Sequence, residues 1–486
     1  MPEKLIFEIS SPGRRGVRFP ECDVPKRPLE DMIPKRLQRT TPPRLPEVSE
    51  LDIVRHFTRL SHLNYSVDTN FYPLGSCTMK YNPKVHEDIA GLEGFKKLHP
   101  YQPHEQVQGV LRLLYDFSEL LKEVCGMPEF SLQPAAGAQG ELLGMMITRV
   151  YYEKKGEPRR KIIIPDSAHG TNPASAALCG FEVVEIKSNK EGMVDLEVLK
   201  KAMSPEVAAL MITNPNTLGI FEKEIRAICD ILHAAGGLVY CDGANLNALL
   251  GRVKPGDMGI DLLHLNLHKT FTTPHGGGGP GAGPLGVSEP LRPFLPIPRV
   301  EMQKGTFIFN YNFPDSVGRL KPFYGNIGII IRAYAYILSL GREGLGRVSE
   351  AAVLNANYLK KKLSQHYDIP YPEGCMHEFV LSGRRQKRLG VTTMDIAKRL
   401  LDYGFYAPTI YFPLIVEEAL MIEPTETESR ETLDDFAQAL VSIAEEAEKQ
   451  PELVKGAPHN TPVRRLDEVK AARQLDLRWS FTGDGL

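Results

Sequence analysis

A lysine and an aspartate, each placed at the end of an apolar run, are the residues of this chain best suited to chemistry. Gly237-Leu-Val-Tyr-Cys241 leads to Asp242, and Leu262-Leu-His-Leu-Asn-Leu-His268 leads to Lys269, 27 residues further on. A charge that emerges from a buried run needs a partner. A salt bridge between the two would satisfy both. A pyridine cofactor would do so as well: its aldehyde condenses with the Lys269 amine as a Schiff base, and its protonated ring nitrogen pairs with Asp242.

Other polar stretches fall at comparable places. Gln133-Pro-Ala-Ala-Gly137-Ala138-Gln139-Gly140-Glu141 joins a strand to a helix through small residues, which lets backbone N–H groups approach a phosphate. Pro165-Asp-Ser-Ala-His169-Gly-Thr-Asn172 brings an imidazole to a strand end, and Thr213-Asn214-Pro-Asn216 reads as an Asn-Pro turn. Two patterns fail on context. Gly281-Ala-Gly-Pro-Leu-Gly286 has the GxGxxG spacing, but Pro284 and the preceding glycines oppose a strand-turn-helix. His264 and His268 are four apart, but the apolar alternation around them marks a strand, where they share one face well apart with no further ligand at metal spacing.

These residues require a scaffold of parallel strands. Residues 161–165, 208–213, 237–242 and 262–268 read as buried strands, separated by helical stretches such as 222–235, the pattern of βαβ units. In such sheets ligands bind beyond the carboxyl ends of the strands. Residues 325–340 read as a long buried helix, and 351–449 as a second, mixed α/β module with a strand at 378–381. The expected division is an amino-terminal extended arm at 1–60, rich in Pro, Arg and Lys, a large domain at 61–345, a small domain at 346–450 and a tail at 451–486.

Composition narrows the partners. The chain has 486 residues, 58 Lys and Arg against 60 Asp and Glu, and no apolar run long enough to span a membrane. Nucleic acid and membranes are therefore not expected partners. Seven scattered cysteines without a CxxC pair suit reduced thiols in the cytoplasm.

The motifs Asp242-Gly-Ala-Asn-Leu-Asn247 and Leu265-Asn-Leu-His-Lys269-Thr-Phe-Thr-Thr-Pro-His275-Gly-Gly-Gly-Gly-Pro-Gly281 resemble the glycine decarboxylase P-protein family. So do Tyr72-Pro-Leu-Gly-Ser-Cys-Thr-Met-Lys-Tyr-Asn-Pro83, the stretches around Gln139 and His169, and Ala457-Pro-His-Asn-Thr-Pro462. One departure is Ala135-Ala136, where the family pattern carries a more polar pair. The length matches the lysine-bearing half of the two-subunit form. The resemblance implies the fold of the aspartate-aminotransferase class (type I), with a seven-stranded, mostly parallel sheet and a small carboxy-terminal α/β domain. It implies pyridoxal phosphate on Lys269, with Asp242 at the ring nitrogen, His169 over one ring face and Ala244 on the other. The phosphate would lie against Gly137, Ala138, Gln139, His268 and Thr270, and Asn214 would meet the ring hydroxyl.

The activity it implies is decarboxylation of glycine with transfer of the aminomethyl group to the lipoyl arm of H-protein. The partner it implies is a homologous subunit 1 in an α₂β₂ heterotetramer, and residues 72–83 and 101–105 would help to line the lipoyl channel. The alternatives are another enzyme of the same fold, such as a group II amino-acid decarboxylase or a cysteine desulfurase, and a non-catalytic scaffold subunit. Dependence on a lipoylated carrier separates the first from the glycine enzyme, and cofactor absorbance separates the second.

Overall fold

The computed structural model describes residues 3–275, 281–477 and 479, so the glycine run at 276–279 and Pro280 lie outside the described residues. Val67–Ala457 form one compact unit, and Met1–Ser66 with Pro458–Leu486 form another. In the latter, regular structure among the described residues before residue 50 is limited to the short helices Leu29–Met32 and Lys35–Leu37, as its proline content favours. A capping box between Ser49 and Asp52 then starts the helix Glu50–His62. The rings of Phe7 and Trp479 stack with centroids 5.6 Å apart.

The larger unit is built on seven strands: β1 (Glu129–Ser131), β2 (Lys161–Pro165), β3 (Glu182–Ile186), β4 (Val207–Thr213), β5 (Leu238–Gly243), β6 (Leu262–Leu265) and β7 (Leu285–Val287). Their order is β1-β7-β6-β5-β4-β2-β3. The pairs β3/β2, β2/β4, β4/β5 and β5/β6 are parallel, whereas β7 runs antiparallel to both β1 and β6. Apolar side chains alternate between two cores. Ile163, Leu210, Ile212, Val239 and Leu263 pack on the face covered by helix Gln108–Cys125, and Ile162, Met211, Leu238, Tyr240 and Leu262 pack on the face covered by helix Gly137–Lys155. With both faces buried, the central strands read as continuous apolar runs without a polar side.

Three of the seven strands differ from the sequence reading, β7 being one that it did not name. β3 is an additional edge strand, with Glu182 and Glu185 exposed, and its mixed text hid it. β6 ends at Leu265, where its partner β7 has run out and the chain turns: the Lys269 N–H donates to the Asn266 carbonyl at 3.0 Å. His264 and His268 therefore do not share a strand face, because only the first lies in the strand.

The long helix starts at Ile327, in line with the expected 325–340, and breaks at Gly341 (φ 61°, ψ −174°), beyond which a second helical stretch continues to Leu363. Its second half packs with helix Arg430–Lys449 and the strands Phe379–Ser382, Thr409–Ile410 and Ala419–Ile422 around a separate apolar cluster that includes Leu359, Leu381, Leu420 and Phe436. Among the described residues no helix is long and apolar enough to cross a membrane.

Candidate active site

The carboxyl ends of β4, β5 and β6 converge on a pocket lined by Ser76, Glu141, His169, Thr213, Asp242, Ala244, Asn245, Asn266, Lys269, His377 and Glu378, among others. Asp242 and Lys269, taken from the sequence as a pair, face this one cavity. The pairing register sets Asp242 beside Thr213 on one side and His264 on the other.

Asp242 is 5% exposed. One of its oxygens accepts the Ala244 N–H at 3.1 Å, and the other accepts the Asn172 amide at 3.3 Å. Behind it, His264 Nδ1 lies 2.5 Å from the Tyr240 hydroxyl, and its Nε2 faces Asp242 Oδ1 at 3.4 Å. The phenol is best placed as donor to Nδ1, which leaves the ring proton on Nε2, toward the carboxylate. Burial alone would raise the Asp242 pKa. The facing His264, the charge of Lys269 and the Ala244 N–H outweigh it, so the carboxyl titrates below its usual range. An acid that stays ionised at the foot of a buried pocket is the partner a pyridinium nitrogen requires.

Lys269 sits on the turn after β6, and its Nζ donates to the Ser76 carbonyl at 2.5 Å. Ser76 adopts φ 61°, a conformation rare for a residue with a side chain, costing on the order of 1 kcal/mol. That twist directs its carbonyl to Lys269 and its N–H to Glu378 Oε2, at 2.8 Å.

Helix Gly137–Lys155 begins beside the pocket without a side-chain cap, so its first N–H groups are available to an anion. Close backbone approach requires glycine here. A Cβ on Gly137 would lie 2.2 Å from Asn266 Oδ1, and one on Gly283 would lie 2.2 Å from the Ala136 carbonyl. Gly283→Ala is expected to displace this helix start, destabilise the fold by about 3 kcal/mol and weaken cofactor retention. Thermal unfolding and cofactor absorbance of the purified variant check both.

Several buried polar atoms around the cavity have no hydrogen-bond partner: Asn266 Oδ1, His268 Nδ1, Thr213 Oγ1, Asn172 Oδ1 and His377 Nδ1. An aromatic ligand bearing a phosphate, a hydroxyl and a ring nitrogen fits such a cradle. The acid, the lysine and the open helix start are the donor set of pyridoxal phosphate. His169 lines the pocket, with Nδ1 at 2.9 Å from the Thr171 hydroxyl; burial lowers its pKa, so its ring is neutral at neutral pH. His268 is pushed down to about 3 by burial and by the neighbouring His275, whose ring lies 4.7 Å away.

Not every residue singled out in the sequence reaches the cavity. The Asn214 side chain accepts the Glu222 N–H at 3.0 Å and packs toward Met258, so Thr213 and Pro215 line that edge. Thr270 is 1% exposed, and its hydroxyl accepts the Leu246 N–H at 2.7 Å. Gln139 accepts the Ala135 N–H at 2.7 Å through its side chain.

Conversely, Glu141, Asn266, His377, Glu378 and Glu423 were not singled out, and His264 was weighed only as half of a metal pair. Of these, Glu141 carried a signal, an acid just past the first turn of a helix at the phosphate-type loop. It accepts the Thr171 hydroxyl at 3.0 Å, and burial, then Asp242, raise it to about 7.

Known proteins resemble this chain over nearly its whole length. The model of the glycine cleavage system P-protein family matches residues 27–302, and that of the glycine dehydrogenase C-terminal domain matches 348–462. The chain is 61% identical over 477 residues to a probable glycine dehydrogenase (decarboxylating) subunit 2 of Caldanaerobacter subterraneus subsp. tengcongensis, covering 98% of each chain. It is 58% identical to the protein of that name from Bacillus velezensis, covering 99% of each. Its fold is similar to the crystal structure of an inhibitor-bound glycine decarboxylase (P-protein), with a TM-score of 0.72 at 21% identity over 85% of this chain and 95% of that one. A cysteine desulfurase from Escherichia coli shares the fold at a TM-score of 0.60 and 16% identity, over 78% and 95% of the two chains.

Proposed function

The chain belongs to the glycine cleavage system P-protein family, and from that premise we propose which of its residues carry the reaction. It is a pyridoxal-phosphate enzyme of fold type I that decarboxylates glycine. The observation that carries the assignment of residues is the placement of Asp242 and Lys269 on one cavity, at the ends of adjacent parallel strands.

Bound there, pyridoxal phosphate supplies an electron sink for the pair left when the carboxyl group departs. In this reading Lys269 would hold the cofactor through its aldehyde, and its amine would be the group that the glycine amine replaces. Asp242, backed by His264 and Tyr240, holds a proton on the ring nitrogen. The Gly137 and Ala138 N–H groups bind the phosphate, with Gln139 and His268 beside them. His169 and Ala244 bound the two ring faces. Asn214 and Thr270 are positioning residues, since their side chains fix the backbone at Glu222 and Leu246. Residues 61–345 act as the cofactor domain and 346–450 as the small domain, with 1–60 as the arm and 451–486 as the tail.

The aminomethyl group passes to the lipoyl arm of H-protein, and the chain works with a homologous subunit 1 as an α₂β₂ assembly. Support for the companion is the likeness over nearly full length to proteins named as subunit 2. The seven cysteines, all free and five of them buried, suit the cytoplasm. The test is exchange of labelled carbon dioxide into glycine. Strong exchange that needs both the companion subunit and lipoylated carrier is expected, and turnover without carrier would reject the lipoyl acceptor.

A further inference from the structure

Beside Lys269 lies a group of buried acids that none of the roles above uses. Glu378, Glu423 and His377 are 4%, 0% and 2% exposed, and one ligand atom from each lies within 4.8 Å of the others. Two ionised carboxylates this close in a buried site repel one another, so one proton is retained between them.

Its location follows from the donors. Glu423 accepts the Thr78 hydroxyl at 2.8 and 2.9 Å, the Asn245 amide at 2.9 and 3.1 Å and the Asn247 amide at 3.3 Å. Three side chains donate to it, which stabilises the ionised form. Glu378 accepts one backbone N–H, that of Ser76, and its other oxygen lies 3.7 Å from His377 Nε2. The acid with fewer donors is Glu378, and it is the one of the pair that lines the pocket. Burial, with Glu423 second, raises Glu378 to about 8, against about 7 for Glu423, where burial is offset by the Asn245 and Thr78 bonds. The other groups facing the pair are Lys269, which draws both acids down, and Lys80, which acts on Glu423 and is itself bound to Glu426 at 2.7 Å. His377 is held neutral by burial.

An α-amino acid brings a carboxylate into this pocket, yet among the described residues lining it there is no arginine, and Lys269 is the only lysine. The lining also contains Glu141, Asp242 and Glu378. An ionised Glu378 would repel the substrate, whereas a protonated one presents an O–H donor.

We propose that Glu378 carries the proton of the Glu378/Glu423 pair and donates it in a hydrogen bond to the substrate carboxylate. Glu378 is then a further catalytic residue, and Glu423, Thr78 and Asn245 are positioning residues that keep the proton on it. The carboxylate leaves as neutral carbon dioxide, the O–H remains on Glu378, and no proton is consumed. This rests on the glycine reading given above.

Two measurements test it. Infrared difference spectra of the protein without added glycine are expected to show a protonated-carboxyl band at neutral pH that disappears as pH passes about 8 and is missing in Glu378→Gln. Glycine affinity of the holoenzyme, followed by cofactor absorbance, is expected to fall about tenfold per pH unit above that point relative to Glu378→Gln, whose amide still donates. That variant should bind glycine nearly as well as wild type at neutral pH, and Glu378→Ala about tenfold less well.

Glu141, raised to about 7, contributes its own band in both proteins, so the component that titrates near 8 is the one that counts, and its survival in Glu378→Gln overturns the proposal. So does a Gln variant that loses affinity as the Ala variant does. If glycine leaves the wild-type spectrum unchanged at every pH, the glycine reading itself fails and takes the carboxylate contact with it; the infrared band still reports the proton independently.

Discussion

Borohydride treatment of the cofactor-loaded protein is expected to fix the cofactor on one peptide, the one containing Lys269, and Lys269→Ala is expected to lower turnover by on the order of 10⁴-fold or more. The amine lies on a turn rather than in a strand, 2.5 Å from the Ser76 carbonyl, so it is anchored at its base and its tip is held by one bond that can be exchanged. Lys269→Arg preserves the charge and much of the stem, but a guanidinium, always protonated, does not condense with an aldehyde under these conditions. It should be as inactive as the alanine variant while still folding. The fold should tolerate either change, because the side chain is only partly buried. Mass spectrometry of the reduced, digested protein is the check, and label on any other lysine would remove Lys269 from its assigned role.

The second large effect is expected at Asp242. Asp242→Ala removes the carboxylate while Lys269 and the helix start at Gly137 remain, so cofactor should still bind while turnover falls roughly 10²–10³-fold. The loss has an electrostatic origin: without a charged partner the ring nitrogen gives up its proton, and the electron sink weakens. Asp242→Asn is the sharper variant. It keeps the shape of the side chain and one acceptor oxygen for the Ala244 N–H, gives up the bond accepted from the Asn172 amide, and removes the charge that faces His264. If that variant turned over at the wild-type rate with bound cofactor intact, the proton on the ring would have another keeper.

The features legible in the sequence are those governed by local patterning. Continuous apolar runs ending in Asp242 and Lys269 located β5 and β6 and the face of the sheet that binds ligand, because a strand buried on both sides leaves no other pattern. The glycines at the start of helix Gly137–Lys155 likewise announced a close backbone approach, now explained by Asn266 against Gly137 and by the Gly283 carbonyl and His264 against Gly140. What stayed hidden depends on register and on contacts distant in the chain. His264 looked like one more position in an apolar strand; only the pairing of β5 with β6 sets it opposite Asp242. Glu378 and Glu423 sit at the margins of strands Phe379–Ser382 and Ala419–Ile422, and nothing in their own neighbourhoods shows that Ser76 and Thr78, more than 300 residues earlier, will bond to them. Edge strand β3 was missed for a simpler reason, since a half-solvated strand with two glutamates carries no apolar run.

Those same distant bonds have a consequence for how the molecule comes to be made. Leu74 pairs with Ile422 as a short antiparallel bridge, the Gly75 N–H donates to the Met421 carbonyl at 3.2 Å, and the Glu423 N–H donates to the Pro73 carbonyl at 3.3 Å. Residues 73–75 thus serve as an added strand for a sheet whose other members lie beyond residue 378. A ribosome releases the first of these segments long before the last exists, so the early one must wait, solvated, until its partner emerges. Loop closure over such a span is slow compared with local pairing. The wall of the pocket that carries Ser76 therefore cannot be completed until residues 421–423 have been made.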